Sequence, residues 1–272
     1  MLTFLTIENK EPKGLLPLRY KIISELKSAG GVDVKHIRYI RKRGRVRWDK
    51  IEKIAGDEKS RLLVSENTEL PKESNLMRFD CTALKSRLCI NFAAEVLKSL
   101  KNKAKVKVAV FDPEASIVDA MDMLLKFTES INVVTRMTGI YSAQAERILN
   151  ESGAVLSVSK RLKSLEGAEL LIVPNKLGVM LPVKKSAVIL TVMPPSVSQR
   201  CGVYYKYYFS LCDELLRLLP QGFDAECLAS ALYTLCGRID LGATVPQAVK
   251  GEGMAHTLVS MSKYLINIGS NT

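Results

Sequence analysis

The sequence has no C-x-x-C pair, only two histidines and a single tryptophan, and no apolar run long enough to cross a bilayer. Each absence removes a class of function. His36 and His256 alone cannot build a histidine-rich metal site. The six cysteines, at 81, 89, 201, 212, 227 and 236, are spaced for neither zinc nor a disulfide framework, and Cys227 and Cys236 fall on apolar helical faces. The expectation is buried free thiols in a reducing compartment. Met1–Lys10 contains no basic-then-apolar leader, which predicts a cytoplasmic protein with no membrane partner. A nucleophile elbow, a P-loop and a Cys–His arrangement are also missing, so no catalytic residue is assigned.

What is present is an ordinary globular composition, 272 residues with 47% hydrophobic and 25% charged, enough for one or two domains with a sizeable core. The net charge of +12 is the largest deviation; it fits either an acidic partner or a lysine-rich surface.

The informative stretch is 105–195. Val106–Phe111, Ile131–Thr135, Ala154–Val158, Leu170–Val173 and Ala187–Val192 are short β-branched-rich runs of strand length. Between the first two, Asp112-Pro113 supplies a capping side chain and a first-turn proline. Apolar Ile117, Val118, Met121, Leu124 and Leu125 then predict a helix from about Pro113 to Thr128. A second helix is predicted over Tyr141–Asn150, with Ala145, Ile148 and Leu149 inward and a stop near Gly153. Buried strands alternating with helices predict a parallel sheet with right-handed crossovers. The predicted fold class is α/β: a Rossmann-like parallel sheet, a smaller N-terminal α/β domain and a helical C-terminal tail. The expected domains are 1–103, 104–200 and 201–272, the last packing on the other two, with lysine-rich Lys98–Lys105 as linker.

The run Asn132-Val133-Val134-Thr135-Arg136, followed by Ala143, Ala145, Ile148 and Ser152-Gly153-Ala154, resembles the second half of the nucleotide-binding domain of shikimate dehydrogenases and glutamyl-tRNA reductases. Glu166–Pro174 is similar to the segment leading into their fourth strand. The resemblance implies NADP as cofactor, with Arg136 facing the ribose 2′-phosphate and Thr135 and Lys176 nearby. The chain departs from the pattern where the diphosphate would lie. In place of G-x-G-x-x-G stands Asp112-Pro113-Glu114-Ala115-Ser116-Ile117, with no glycine, one N–H fewer and two carboxylates. At close range each carboxylate repels a phosphate by ~1 kcal/mol or more. Standard NADP binding is therefore not expected. The strand-end loops 112–116, 136–140, 159–161, 174–178 and 193–196 remain the expected ligand face. There Arg136, Lys160, Arg161 and Lys176 outweigh Asp112 and Glu114, which suits a small anion.

The rest of the chain predicts a strand at Leu2–Ile7 and a helix at Pro17–Ser28 ended by Gly30-Gly31. In the basic run Lys35–Trp48, alternating Ile37 and Tyr39, a turn at Arg43-Gly44, then Val46 and Trp48, predict a β-hairpin. Arg41, Arg43, Arg45 and Trp48 are the nucleic-acid-binding candidates, against the plainer reading of inward aromatic rings and solvated arginines. Helices are predicted over Asp49–Ala55, Cys81–Leu100, Phe209–Leu219, Ala225–Gly237 and Ala255–Ile266. Tyr204, Tyr205, Tyr207, Tyr208 and Phe209 form an aromatic cluster that reads as packing. Three functions remain open: a non-catalytic binding or scaffolding module, without a cofactor and able to form a homodimer; an NADP-dependent dehydrogenase-like enzyme with non-standard cofactor binding; and a nucleic-acid-associated protein.

Overall fold

A computed structural model describes residues 1–10, 20–42, 44–65, 68–100 and 106–270. Its elements begin with β1 (Leu2–Asn9), β2 (Tyr20–Ala29), β3 (Val32–Arg41), α1 (Trp48–Ala55) and β4 (Leu63–Val64). Next come α2 (Thr82–Ser99), β5 (Val108–Phe111), α3 (Ala120–Leu125), β6 (Ser130–Val134), α4 (Thr138–Ser152), β7 (Val155–Ser159) and β8 (Leu170–Val173). β9 (Met180–Leu181), β10 (Val188–Thr191), β11 (Ser196–Val197), β12 (Gly202–Tyr208), α5 (Asp213–Leu216) and α6 (Ala225–Leu235) follow. β13 (Ala248–Gly251), β14 (Ala255–Thr257) and α7 (Leu258–Ser270) end the chain. Two units result, Met1–Cys81 with Ser210–Leu241 and Thr82–Phe209 with Gly242–Thr272, whereas the sequence suggested 1–103, 104–200 and 201–272.

The first unit carries a four-stranded sheet in the order β2-β3-β1-β4. β3 runs antiparallel to β2 and parallel to β1. Gly30 and Gly31, at φ +56° and +73°, make the β2–β3 turn, as a two-residue hairpin of matching twist requires. This corrects two expectations. The helix placed at Pro17–Ser28 is strand β2 over its described part, and among the described residues of Lys35–Trp48 β3 pairs backwards with β2 while Trp48 opens α1, in place of the expected hairpin. The glycine pair, expected to stop a helix, reverses a strand. Ile37, Tyr39, Leu5, Ile51, Ala55, Leu62, Val64 and Leu76 form the core beneath this sheet, with Val46 and Trp48 packed against it. Later in the unit, Asp224 caps α6 as expected, its side chain accepting from Cys227 N at 2.8 Å. The helix expected over Phe209–Leu219 shrinks to α5.

The second unit holds an eight-stranded sheet in the order β14-β13-β12-β10-β8-β5-β6-β7. The strands from β12 to β7 pair in parallel, and β13 and β14 add an antiparallel edge. Counted in chain order the parallel strands read 3-2-1-4-5-6, the order of doubly wound dinucleotide folds. All five strands expected in 105–195 are present. Every residue of β5, β8 and β10 is buried, as a sheet covered on both faces demands, and each fully buried aliphatic contributes about 1.5–3 kcal/mol. α2 buries Leu84, Leu88, Phe92 and Val96, the stripe expected from its spacing.

Three local readings need correction here. The helix after β5 spans only Ala120–Leu125, with turns from Pro113 onward. Leu149 on α4 faces outward at 55% exposure, while Tyr141 and Ile148 face inward. The tyrosine cluster belongs to β12, with Tyr204 and Tyr207 buried. The cysteines are all unbridged, but Cys212 and Cys236 are exposed, so the expectation of buried thiols fails for these two. Cys236 sits at the end of α6, beyond its apolar face. Among the described residues no helix is long and apolar enough to cross a membrane, and no cluster of metal-ligating side chains occurs.

Candidate functional site

In a sheet ordered 3-2-1-4-5-6 the chain departs in opposite directions from the first and fourth strands, which leaves a crevice above their carboxyl ends. Those strands are β5 and β8, so the crevice is bounded by the turns 112–117 and 174–176.

Asp112, the residue after β5, is completely buried. Its backbone N–H donates to Val134 O at 3.1 Å, which extends the β5–β6 ladder and fixes where its side chain starts. The carboxylate then accepts four hydrogen bonds. Oδ2 receives the Ile117 N–H at 3.0 Å and the Tyr141 hydroxyl at 2.7 Å. Oδ1 receives Asn175 Nδ2 at 2.9 Å and Ser116 Oγ at 3.0 Å. Asn175 Nδ2 also lies 3.0 Å from Ser116 Oγ, closing the network across from β8 to β5. A carboxylate is acceptor-only when ionised and can take four donors in this way. Buried without them it would cost several kcal/mol.

Two features of the turn follow from this network. Asp112 claims the Ile117 N–H five residues on, competing with helical bonding, so regular helix starts only at Ala120. Ala115 is forced to φ +55°, the one non-glycine residue at positive φ among those described, a conformation that costs an L-residue roughly 1–2 kcal/mol. Tyr141 has its hydroxyl pKa pushed far up, first by burial and then by its bond to Asp112; it stays a donor across the whole physiological range.

The residues present do not fit a dinucleotide diphosphate in the usual mode. That mode needs free N–H groups and glycine-thin backbone. Here the Ile117 N–H is taken, Pro113 has none, Ala115 carries a Cβ, and a buried carboxylate stands at the mouth of the turn. Glu114 beside it is exposed.

The other candidates from sequence follow the ends of β6 and β8. Arg136 is exposed at the end of β6, its backbone N donating to Pro113 O at 3.2 Å, so the residue borders the turn. Thr135 is buried and its hydroxyl accepts from Met137 N at 3.0 Å. Lys176 is exposed next to Asn175. Sequence reasoning found Asp112 but missed its partners Tyr141, in the first turn of α4, and Asn175, just past the end of β8.

The nucleic-acid candidates lie at the end of β3 and in the segment leading into α1. Arg41 bonds Asn9 Oδ1 at 2.8 Å through Nε, and Arg43 lies outside the described residues. Arg45 is exposed. Trp48 is half-buried against the first unit's core, and Tyr39 is fully buried, its hydroxyl accepting from Arg47 N at 3.1 Å and its ring stacked on Tyr20 at 5.3 Å.

No protein-family model matches the chain, and no curated protein sequence does. Solved structures match it weakly. A Δ1-pyrroline-2-carboxylate reductase from Thermococcus litoralis, in complex with NADH and L-proline, shares 14% identity over 39% of this chain and 36% of its own, with a TM-score of 0.28. A shikimate dehydrogenase in complex with NADP+ shares 13% over 70% of this chain and 62% of its own, at 0.31. An L-tryptophan dehydrogenase from Nostoc punctiforme shares 10% over 87% and 68%, at 0.29. The chain thus spans 36% and 62% of the first two of these proteins. Likeness at this level is a weak Rossmann-like resemblance and distinguishes neither substrate nor cofactor.

Proposed function

We propose that the chain is a non-catalytic binding or scaffolding module built on a Rossmann-like sheet whose nucleotide crevice is closed by its own carboxylate. The observation that supports this reading is Asp112, buried at the switch point with both oxygens saturated by Ile117, Tyr141, Ser116 and Asn175. The test is a thermal-shift series with NADPH, NADH, ATP and S-adenosylmethionine at ~1 mM, a level at which any ligand of micromolar affinity adds about 4 kcal/mol of stability. No rise is expected.

A second reading is an NADP-dependent dehydrogenase-like enzyme that holds its cofactor around Arg136, with Thr135 and Lys176, away from the blocked turn. It is favoured by the exposure of Arg136 beside Pro113. A rise of several degrees with NADPH, absent in Arg136→Glu, would replace the first reading by this one.

A further inference from the structure

The second unit contains a cavity of about 410 Å³ that shares no residue with the crevice above β5 and β8. It is lined by Gly202 and Tyr204 of β12, by Gly251 of β13, by Tyr264 of α7, and by the charged Lys185, Arg200 and Glu252. Cys201 also lines it, among apolar residues.

Two glycines shape this space. A Cβ at Gly202 would stand 3.1 Å from the Tyr204 ring, so the bare position leaves that ring its room. A Cβ at Gly251 would meet Val203 O at 1.7 Å, where the β12–β13 register shifts between Tyr204 and Lys206. Close backbone approach and a bulge together re-aim the side chains at this edge.

Behind the wall stands an unexplained polar group. His256 packs edge-on to Tyr204 at 5.4 Å and tilted against Tyr264 at 5.4 Å, and neither of its buried ring nitrogens has a hydrogen-bond partner. Burial depresses its pKa, so the ring is neutral, with one donor and one acceptor unmet. A purely structural aromatic position would lose nothing by being phenylalanine, whereas an imidazole held unsatisfied carries a desolvation penalty. Its two ring neighbours, Tyr204 and Tyr264, are both cavity residues.

We propose that this cavity is a binding site for a small, flat, carboxylate-bearing molecule, with Lys185 and Arg200 holding the anionic group and the half-buried Tyr264 beside the planar body. The two cations against Glu252 leave the lining net positive, and both are exposed, so an entering anion meets them first. The volume lies within the range of small-ligand pockets and leaves room for a ring with its carboxylate. Cys201 takes no covalent part, since burial raises its pKa and keeps it a thiol at neutral pH.

The test uses the full chain and benzoate as probe, with benzamide as the uncharged control and the His256 ring signals in NMR as readout. A ligand of this size is expected to saturate at a Kd of ~1 mM. Benzoate should move the His256 signals and benzamide should not. The exposed pair Lys185→Glu with Arg200→Glu should leave the fold intact and weaken benzoate at least about tenfold, whereas Glu252→Gln should tighten it. Absence of saturation by ~20 mM, equal response to benzamide, or unchanged affinity in the charge-reversed protein would each overturn the proposal.

Discussion

Replacing Asp112 by alanine isolates the network that closes the crevice. The change removes the acceptor of four hydrogen bonds at once. Two of the donors, the Ile117 N–H and the Tyr141 hydroxyl, lie in fully buried bonds and have no other partner at hand. Ser116 and Asn175 sit in partly exposed bonds and can turn to solvent or to each other. Leaving a buried donor unmade costs ~1–3 kcal/mol, so the two together amount to about 2–6 kcal/mol. For a chain of this length that corresponds to a fall in Tm of about 4–10 °C. Asp112→Asn preserves shape but turns a donor toward donors, and should lose less than alanine while remaining folded enough to measure. The assay is urea unfolding followed by far-UV circular dichroism, comparing midpoints at constant slope. A loss below ~0.5 kcal/mol for Asp112→Ala, the range of an ordinary surface substitution, would refute the reasoning.

Ala115→Gly should stabilise the protein by about 0.5–1 kcal/mol, because relief of the left-handed strain exceeds the extra entropy of a glycine in the unfolded chain; a lower urea midpoint would contradict it. The pKa values of both His36 and His256 are depressed below the ordinary 6.5, chiefly by burial and for His36 next by Arg38. The unfolded chain therefore binds more protons, and stability should decline as pH falls from 6.5 through the folded-state values. His36→Gln should flatten part of that decline between about pH 7 and 5 in urea titrations, and an unchanged slope would exclude His36 as a source. Single-stranded RNA at ~0.1 M salt should not quench Trp48, whose ring is packed against the first unit's core; quenching that weakens with salt and vanishes in Arg41→Glu with Arg45→Glu would reinstate nucleic-acid binding.

The central sheet was legible from sequence because strands buried on both faces leave a signal independent of their partners. Val108–Phe111, Leu170–Val173 and Val188–Thr191 are near-continuous apolar runs, and all are strands. β2 was not legible in the same way. Most of its residues are exposed or half-exposed, so Tyr20–Ala29 has no buried face to impose a period of two, and its leucine and isoleucines can be read equally well at helical spacing. β12 hid behind its composition, since tyrosines at 204, 205, 207 and 208 place bulky rings on both faces and erase the alternation. The site was half legible. Asp112 announced itself as an acid in a phosphate turn, but a local capping rule assigned it to a helix that in fact starts at Ala120. Tyr141 and Asn175 reach it only once β6 and β8 flank β5, and that adjacency is a property of strand order rather than of any local pattern.

Strand order also decides how firmly the crevice is closed. A diphosphate entering the turn would have to displace Asp112 before it could use the Ile117 N–H, and displacement forfeits the carboxylate's bonds to Ile117, Tyr141, Ser116 and Asn175. If that loss is the same ~2–6 kcal/mol expected from the alanine variant, it lowers affinity on the order of 30- to 10⁴-fold. A cofactor that a glycine-rich turn would hold at about 1 μM is thereby pushed to between about 30 μM and about 10 mM. Asp112→Ala lifts this competition without restoring what Pro113 and Ala115 lack, so it should raise NADPH affinity only modestly. Asp112→Gly together with Ala115→Gly should raise it further, and equal NADPH titrations for wild type and both variants would mean that Asp112 is not what keeps the nucleotide out.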